Sequence, residues 1–437
     1  MFLPLVNMLQ SFITSLLRWF GRRIVKRYHP VVVGITGSVG KTTTKEAVAA
    51  VLGKKFRVKS SVKNFNNEIG VPLTIIGIDR YPGRSVVRWF LVFVRAVRLL
   101  MVKDSSYPDT LVLEMGCDKP GDMHYLVEIA PCTVGVITAI SHAHTEFFKT
   151  LKRIAQEKRV IISHLDQSGF AVLNFDSDIV MEQQHVTKAA VVTFGFKNGA
   201  DVQATDAKIL YDDTGWPTGL NFKVTYGGST VPVFLNGAIA EHLVSAALAG
   251  LAVGVSLGVN LVEGAEGLRT LSPIPGRMRL LPGIKNSLLI DDTYNSSPEA
   301  AKAALRTLAE TPLTEGGERY AVLGDMLELG SETEGAHREV GFLIGELGID
   351  FLITVGEASK GLAAAAREAG LDEHHVASFA DSVSAGKFLQ EKIKAGDVIL
   401  VKGSQGMRME KIVKEVMAEP LRAAELLVRQ NDSWVTH

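Results

Sequence analysis

Short apolar runs, each closed by glycine or a polar residue, alternate with helix-spaced segments along most of the chain. Strand-like runs fall at Val31–Val33, Thr110–Leu113, Val134–Ile140, Phe170–Leu173 and Val191–Phe194, with helical segments between most of them. That rhythm predicts an α/β fold with a doubly wound, mostly parallel sheet, because crossover helices must cover both faces. From Asp201 to Leu235 the texture becomes alternating, with turn signals at Asp212-Asp-Thr-Gly215 and Gly227-Gly228, which predicts an antiparallel patch on the same domain. Glu241 to Val255 is an alanine- and leucine-rich helix, and Pro273-Ile-Pro-Gly276 reads as a hinge. Beyond it the rhythm restarts. Leu288–Ile290, Tyr320–Leu323, Phe351–Val355 and Val398–Val401 are buried-strand runs, with helices expected after Pro298, Glu332, Ser359, Asp381 and Met407. The expected organisation is an apolar and basic N-terminal helix (1–29), a central α/β domain (30–275) and a C-terminal Rossmann-like domain (276–437).

The N-terminus carries a different pattern. Met1 to Phe20 is largely apolar and runs into Gly21-Arg-Arg-Ile-Val-Lys-Arg27. A secretory leader places its charges first and ends in small residues, so this is not one. Asn7, Gln10, Ser11, Thr14, Ser15 and Arg18 interrupt the run, which argues against a membrane span. Helical spacing puts Leu5, Leu9, Phe12, Leu16 and Trp19 along one broad face. Two readings follow: an interfacial helix that meets a membrane surface through residues 1–27, or a helix packed on its own domain or on a partner. Val86 to Met101 repeats the character, with Trp89, Phe90, Val92, Phe93, Val94, Val97, Leu99 and Leu100 among Arg88, Arg95 and Arg98. It reads first as a core helix with snorkelling arginines, with membrane contact as the alternative.

Composition narrows the chemistry. In 437 residues, Lys plus Arg equals Asp plus Glu at 47 each, so no net field recruits nucleic acid, while small acidic metabolites with Mg²⁺ remain open. Two cysteines, Cys117 and Cys132, make neither a disulfide framework nor a zinc cluster, which fits a reducing, cytoplasmic setting.

The strongest chemical signal is Val31-Val-Val-Gly-Ile-Thr-Gly-Ser-Val-Gly-Lys-Thr-Thr-Thr44. A β-branched run stops at glycines, and a lysine and threonines open a helix. Glycines allow a tight turn close to an anion, and the helix N-terminus adds positive potential. Lys41 is placed to reach phosphates and Thr42 to hold Mg²⁺. Gly34 sets a spacing that departs from the common phosphate-loop pattern. Glu114 closes a second apolar run, where a carboxylate can hold phosphate-bound Mg²⁺ or stand as a solvated strand end. Further polar groups follow other strands: Ser141-His-Ala-His-Thr-Glu146, Asp291-Asp-Thr-Tyr-Asn295 and Val401-Lys-Gly-Ser404. Strand ends are where open α/β sheets place ligands.

In their order, the stretches Gly34-Ile-Thr-Gly-Ser-Val-Gly-Lys-Thr-Thr43, Asn64-Phe-Asn-Asn-Glu-Ile-Gly-Val-Pro-Leu73, Glu114-Met-Gly116, Ala143-His-Thr-Glu146, Asp291-Asp-Thr-Tyr-Asn295, Leu323-Gly-Asp-Met-Leu-Glu-Leu-Gly330 and Val401-Lys-Gly-Ser404 resemble the Mur ligase family. The likeness covers about Val31 to Val416 and is greatest to the branch that adds D-alanyl-D-alanine to a muramyl tripeptide. It implies an ATP- and Mg²⁺-dependent amide ligase of cell-wall precursor synthesis, working through an acyl phosphate on a muramyl-peptide-type carboxylate acceptor. Residue by residue, it implies nucleotide contacts from Gly37, Ser38, Gly40, Lys41, Thr42 and Thr43, and across the hinge from Arg277, Asp292 and Asn295. It implies metal ligation by Thr42, Glu114, His144 and Lys158, the last through carbamylation, and substrate contacts from Asn66, Asn67, Thr74 and Ser404. Lys41, Lys158, His144 and Lys402 are the expected catalytic groups.

Two departures shape what is expected of the substrate. The phosphate loop begins at Gly34, so the family's separate N-terminal nucleotide-sugar domain is expected to be replaced by the helix of Met1 to Phe20. The family's adenine-side His and Asn, four residues apart, correspond here to His242 and Ala246. The alternatives are a ligase for another, lipid-linked carboxylate acceptor held at the inner membrane face, and a nucleotide-binding scaffold without chemistry.

Overall fold

The computed structural model describes residues 2–62, 65–83, 85–141, 148, 150–213, 215–237, 239–271 and 274–430, with residues 2–10 described at the level of the backbone. Two sheets dominate it. The first has nine strands in the order β2-β3-β1-β4-β5-β6-β7-β8-β9. Its members are β1 (Val31–Thr36), β2 (Val58–Ser60), β3 (Thr110–Glu114), β4 (Val134–Ile137), β5 (Phe170–Asn174), β6 (Ala190–Gly195), β7 (Val202–Tyr211), β8 (Pro217–Tyr226) and β9 (Ser229–Asn236). Strands through β7 pair in parallel, and β7, β8 and β9 pair antiparallel, so the alternating segment extends the same sheet. β1 is central because Val32, Val33 and Ile35 are buried on both faces, as a covered parallel strand requires. Its neighbours β3 and β4 diverge on either side, which leaves a crevice at its C-terminal end.

The second sheet runs β10-β11-β15-β12-β13-β14, parallel except for β10 at the edge. It comprises β10 (Arg279–Pro282), β11 (Leu288–Asp292), β12 (Arg319–Gly324), β13 (Phe351–Val355), β14 (Val376–Phe379) and β15 (Val398–Lys402). All four strands anticipated beyond the hinge are present; β2, β10 and β14 are too short and too exposed to announce themselves in the apolar pattern. The helices expected after Pro298, Ser359 and Asp381 begin there, those expected after Glu332 and Met407 begin at Thr333 and Glu410, and the Asp381 carboxylate caps its helix by accepting from Val383 N and Ser384 N at 2.9 Å.

The first sheet is accompanied by helices α1 (Phe2–Tyr28), α2 (Lys41–Leu52), α3 (Gly70–Ile76), α4 (Val86–Met101), α5 (Asp122–Ile129), α6 (Leu151–Lys158) and α7 (Glu241–Ser256). α7 is apolar nearly all round and is buried against α2 through Ala247, Leu248 and Leu251 on one helix and Ala47, Val48 and Val51 on the other. The N-terminal helix packs on its own domain. Its buried stripe is Leu17, Phe20, Gly21 and Ile24, seated against α3, α4 and α5. The face expected to be apolar contact surface is rotated away from this one: Phe12 and Trp19 stay exposed. α4 is less buried than a core helix, hiding only Val92, Ala96 and Leu99. Among the described residues no helix is long and apolar enough to cross a membrane.

Because Ile24 is fully enclosed, Ile24→Ala should cost about 2–4 kcal/mol of stability by denaturant unfolding of the N-terminal sheet domain. A loss below about 0.5 kcal/mol would mean that α1 is only loosely attached.

Candidate active site

The crevice is lined first by the turn between β1 and α2. Gly40 lies in the left-handed region at φ 83°, and a Cβ on Gly37 would collide with the Thr138 hydroxyl. Both glycines are therefore required by geometry. Ser38 N donates to Ala139 O at 2.8 Å, and the Ser38 hydroxyl donates to Ser141 O at 2.9 Å while accepting from Ser141 N at 3.0 Å, so the turn is pinned to the end of β4. Thr138 adds a bond to Val39 O at 2.6 Å. Thr43 is buried behind the turn.

Two ammonium groups meet at one carbonyl. Lys41 Nζ donates to Gly37 O at 2.8 Å, and Lys158 Nζ, delivered by α6, donates to the same oxygen at 3.1 Å. Lys158 is buried and also donates to Cys117 Sγ at 3.4 Å, so it is not an ordinary surface lysine. Burial, and then the neighbouring Lys158 charge, push the Lys41 pKa down to about 8; Glu114 acts in the opposite direction. Burial raises the Cys117 thiol above its usual value. Arg277 from beyond the hinge lies within electrostatic reach of Lys41.

The carboxylate at the end of β3 completes this side. Thr42 Oγ1 donates to Glu114 Oε2 at 3.0 Å and Asn66 Nδ2 to Glu114 Oε1 at 3.3 Å. Asn66 thus orients the carboxylate. Asn67 has a structural task, accepting from Ile69 N and Gly70 N at the start of α3. Thr74, expected to contact substrate, is buried, and its hydroxyl donates to Gly70 O at 3.0 Å one turn back. His144 lies outside the described residues.

Across the hinge, β11 and β15 place Asp292 beside Lys402 in register. Lys402 Nζ donates to Asp292 Oδ2 at 2.6 Å and to Asn295 O at 2.9 Å, and the pair is buried. Lys402 therefore ties the 292–295 loop to the end of β15. Ser404 is likewise internal, accepting from Leu327 N at 2.9 Å and donating to Ser296 O at 3.3 Å. Asn295 offers an exposed side chain. Arg277 lies over the Tyr294 ring at 4.0 Å, and its buried Nε has no hydrogen-bond partner among the described atoms. His242, at the first turn of α7, has an exposed side chain within electrostatic reach of Asp292, Lys402 and Arg277.

Sequence reasoning missed three supports. Glu157 is buried and caps α5 by accepting from Gly121 N and from Met123 N at 2.8 Å; only its position beside Lys158 marked it. Asn174 donates to Thr138 O at 2.9 Å behind the turn. Asp291 accepts from Gly276 N at 2.9 Å and from the Thr293 hydroxyl at 2.6 Å, and burial pushes its pKa up to about 6.

Lys41 and Lys158 thus meet at a glycine-shaped turn beside the Glu114 carboxylate, and Arg277, within electrostatic reach of Lys41, has an Nε without a hydrogen-bond partner among the described residues. This donor set fits a polyphosphate, and Thr42 with Glu114 fits a hard divalent cation that the phosphates also hold. Among the described residues no group of three His, Cys, Asp or Glu forms a protein-only metal site.

The chain matches the model of the Mur ligase middle domain over residues 35–82 and 96–254, and that of the Mur ligase, glutamate ligase domain over 276–405. The chain belongs to the Mur ligase family. It is 31% identical to the UDP-N-acetylmuramoyl-tripeptide–D-alanyl-D-alanine ligase of Bacillus subtilis (strain 168), covering 89% of this chain and 76% of that protein. Identity to the Escherichia coli (strain K12) ligase of the same name is also 31%, over 92% of this chain and 79% of that one. Among solved structures it is similar to the MurF ligase of Thermotoga maritima in complex with ADP, with TM-score 0.74, 28% identity and coverage of 92% and 83%. Within this Mur ligase, the Asn66 bond makes a specific demand. Asn66→Ala should raise the Mg²⁺ concentration needed for half-maximal ATP binding by about tenfold or more, measured by calorimetry, because the carboxylate loses its orienting partner. An unchanged value would remove Asn66 from the site.

Proposed function

We propose that this chain is an ATP-dependent ligase that joins D-alanyl-D-alanine to a UDP-N-acetylmuramoyl tripeptide through an acyl phosphate, with release of ADP and phosphate. The observation that carries the reading is the meeting of Lys41 and Lys158 on the phosphate-loop carbonyl of Gly37, in a chain 31% identical to ligases of that name. An amine cannot displace oxygen from a carboxylate until that oxygen becomes a leaving group. The carboxylate oxygen attacks the γ-phosphorus, the bond to the bridging oxygen breaks, and ADP leaves. The amine then attacks the acyl carbon, loses a proton, and phosphate departs from the tetrahedral intermediate. Lys41 and Arg277 are placed to hold the phosphates and to offset the charge that gathers during transfer. Thr42 and Glu114 would hold Mg²⁺, which when bound neutralises phosphate charge.

Lys158 enters as a carbamate in this proposal. A buried ammonium beside Lys41 opposes a second cation; as a carbamate the same side chain is an anion with two oxygen donors. Mass spectrometry in bicarbonate should find the adduct, and Lys158→Ala should lose about 100-fold or more in ADP release and regain part of it with a short carboxylate. Normal turnover of Lys158→Ala would return the residue to a packing role.

Enzyme and scaffold separate on turnover. ADP release should require both the tripeptide acceptor and D-alanyl-D-alanine, and Lys41→Ala should abolish it; nucleotide binding with no acceptor-dependent release would favour the scaffold. The proposal includes work at the inner membrane face, with contact through residues 1–27.

A further inference from the structure

We infer that the lipid-contacting surface is the outward face of α4, docking the enzyme on a bilayer that contains anionic headgroups, with α1 as its flank. This deepens the membrane contact proposed for residues 1–27 and moves its apolar centre to another helix. The face is unusual for a soluble surface. Val87 is 67% exposed, Phe90 64%, Leu91 58% and Met101 75%, with Val94 between them, all on one side of the helix at three- and four-residue spacing. The opposite side, Val92, Ala96 and Leu99, holds α4 to the domain.

Charge selects the occupant. Neither α1 nor α4 contains an aspartate or glutamate, although the chain as a whole is neutral. Arg88, Arg95 and Arg98 are exposed: Arg88 and Arg95 lie along one edge of the apolar stripe, where Arg95 Nε also donates to Ile76 O at 2.8 Å, and Arg98 lies within the stripe. α1 lies alongside and runs in the same direction, with Phe20 and Phe93 ring centroids 6.1 Å apart and the Tyr28 hydroxyl donating to Leu99 O at 3.1 Å. It brings exposed Arg22, Arg23, Lys26 and Arg27 to the same helix pair. An apolar stripe with a cationic edge matches the acyl and headgroup layers of an anionic leaflet. A second copy seated on the face would cover Arg98, within the stripe, with no carboxylate on α1 or α4 to pair it, which disfavours self-pairing. Since no described helix is long and apolar enough to span, the contact is interfacial.

The test uses the full chain and vesicles of phosphatidylcholine with or without phosphatidylglycerol, separated by sedimentation. Wild type should bind the anionic vesicles, less so at high salt. Phe90→Ser/Leu91→Ser/Val94→Ser should lower partitioning about tenfold or more while keeping the wild-type melting temperature and ADP release. Phe12→Ser/Trp19→Ser should lower it less. Wild type remaining in the supernatant would overturn both the α4 surface and the membrane contact of residues 1–27. Loss confined to the α1 variant would overturn only the α4 assignment. A dimer on size exclusion that the α4 variant dissolves would give the face to a second copy and overturn the proposal.

Discussion

The site rests on a backbone carbonyl that accepts from two lysines, one buried and one half-buried. Gly37 O is shared by Lys41 from the helix that follows the loop and by Lys158 from a helix more than a hundred residues later. Bringing two ammonium groups together out of water is costly unless an anion joins them. Lys41 registers that cost as a lowered pKa. The loop is thus incomplete by design of its electrostatics: it is most stable when phosphates, or a carbamate on Lys158, supply the negative charge. The surrounding structure keeps the pair from relaxing apart. Thr138 fills the space beside Gly37, Ser38 is tied to Ser141, and Glu157 fixes the end of the helix that carries Lys158 by capping α5.

The second sheet contributes by a comparable economy of buried charge. Lys402 and Asp292 neutralise each other at adjacent strand ends, so the loop that follows β11 is rigid. Asp291 and Asp292 reach back to the amides of Gly276 and Met278, which joins the 276–278 segment directly to β11. Tyr294 in that loop carries the Arg277 guanidinium on its ring. Arg429, near the described C-terminal end, bonds the carbonyls of Thr293 and Tyr294 and is held in turn by buried Glu410. The Arg277 guanidinium is therefore positioned by a chain of contacts that ends far from it in sequence.

Much of the fold was legible because both sheets are mostly parallel and buried. Such strands are continuous apolar runs, as at Val31–Val33 and Val398–Val401, and glycine or a charged residue marks where each stops. The antiparallel patch was equally visible in its alternation. Local chemistry was legible too, since Gly37, Gly40 and Lys41 are neighbours in sequence. What sequence could not give was direction and partnership. Thr74 and Ser404 belong to motif stretches, yet their hydroxyls turn inward to backbone groups. The pairing of Lys402 with Asp292 follows from the register of β11 and β15, which lie more than a hundred residues apart. The apolar spacing of α1 was plain, while the face that docks was chosen by Gly21 and Ile24, whose fit against α3 and α5 is a tertiary property.

The claim that the loop awaits an anion is tested most directly by the protons that ATP binding takes up. In bicarbonate-free buffers of different ionisation enthalpy at pH 8, calorimetry should find an uptake of about half a proton per ATP, because a Lys41 near half charge becomes fully charged beside phosphate. Lys41→Ala should lose that uptake. Binding of ATP to the wild-type chain with no proton uptake would show that Lys41 is already an ordinary, fully charged lysine, and would contradict the account of the cradle.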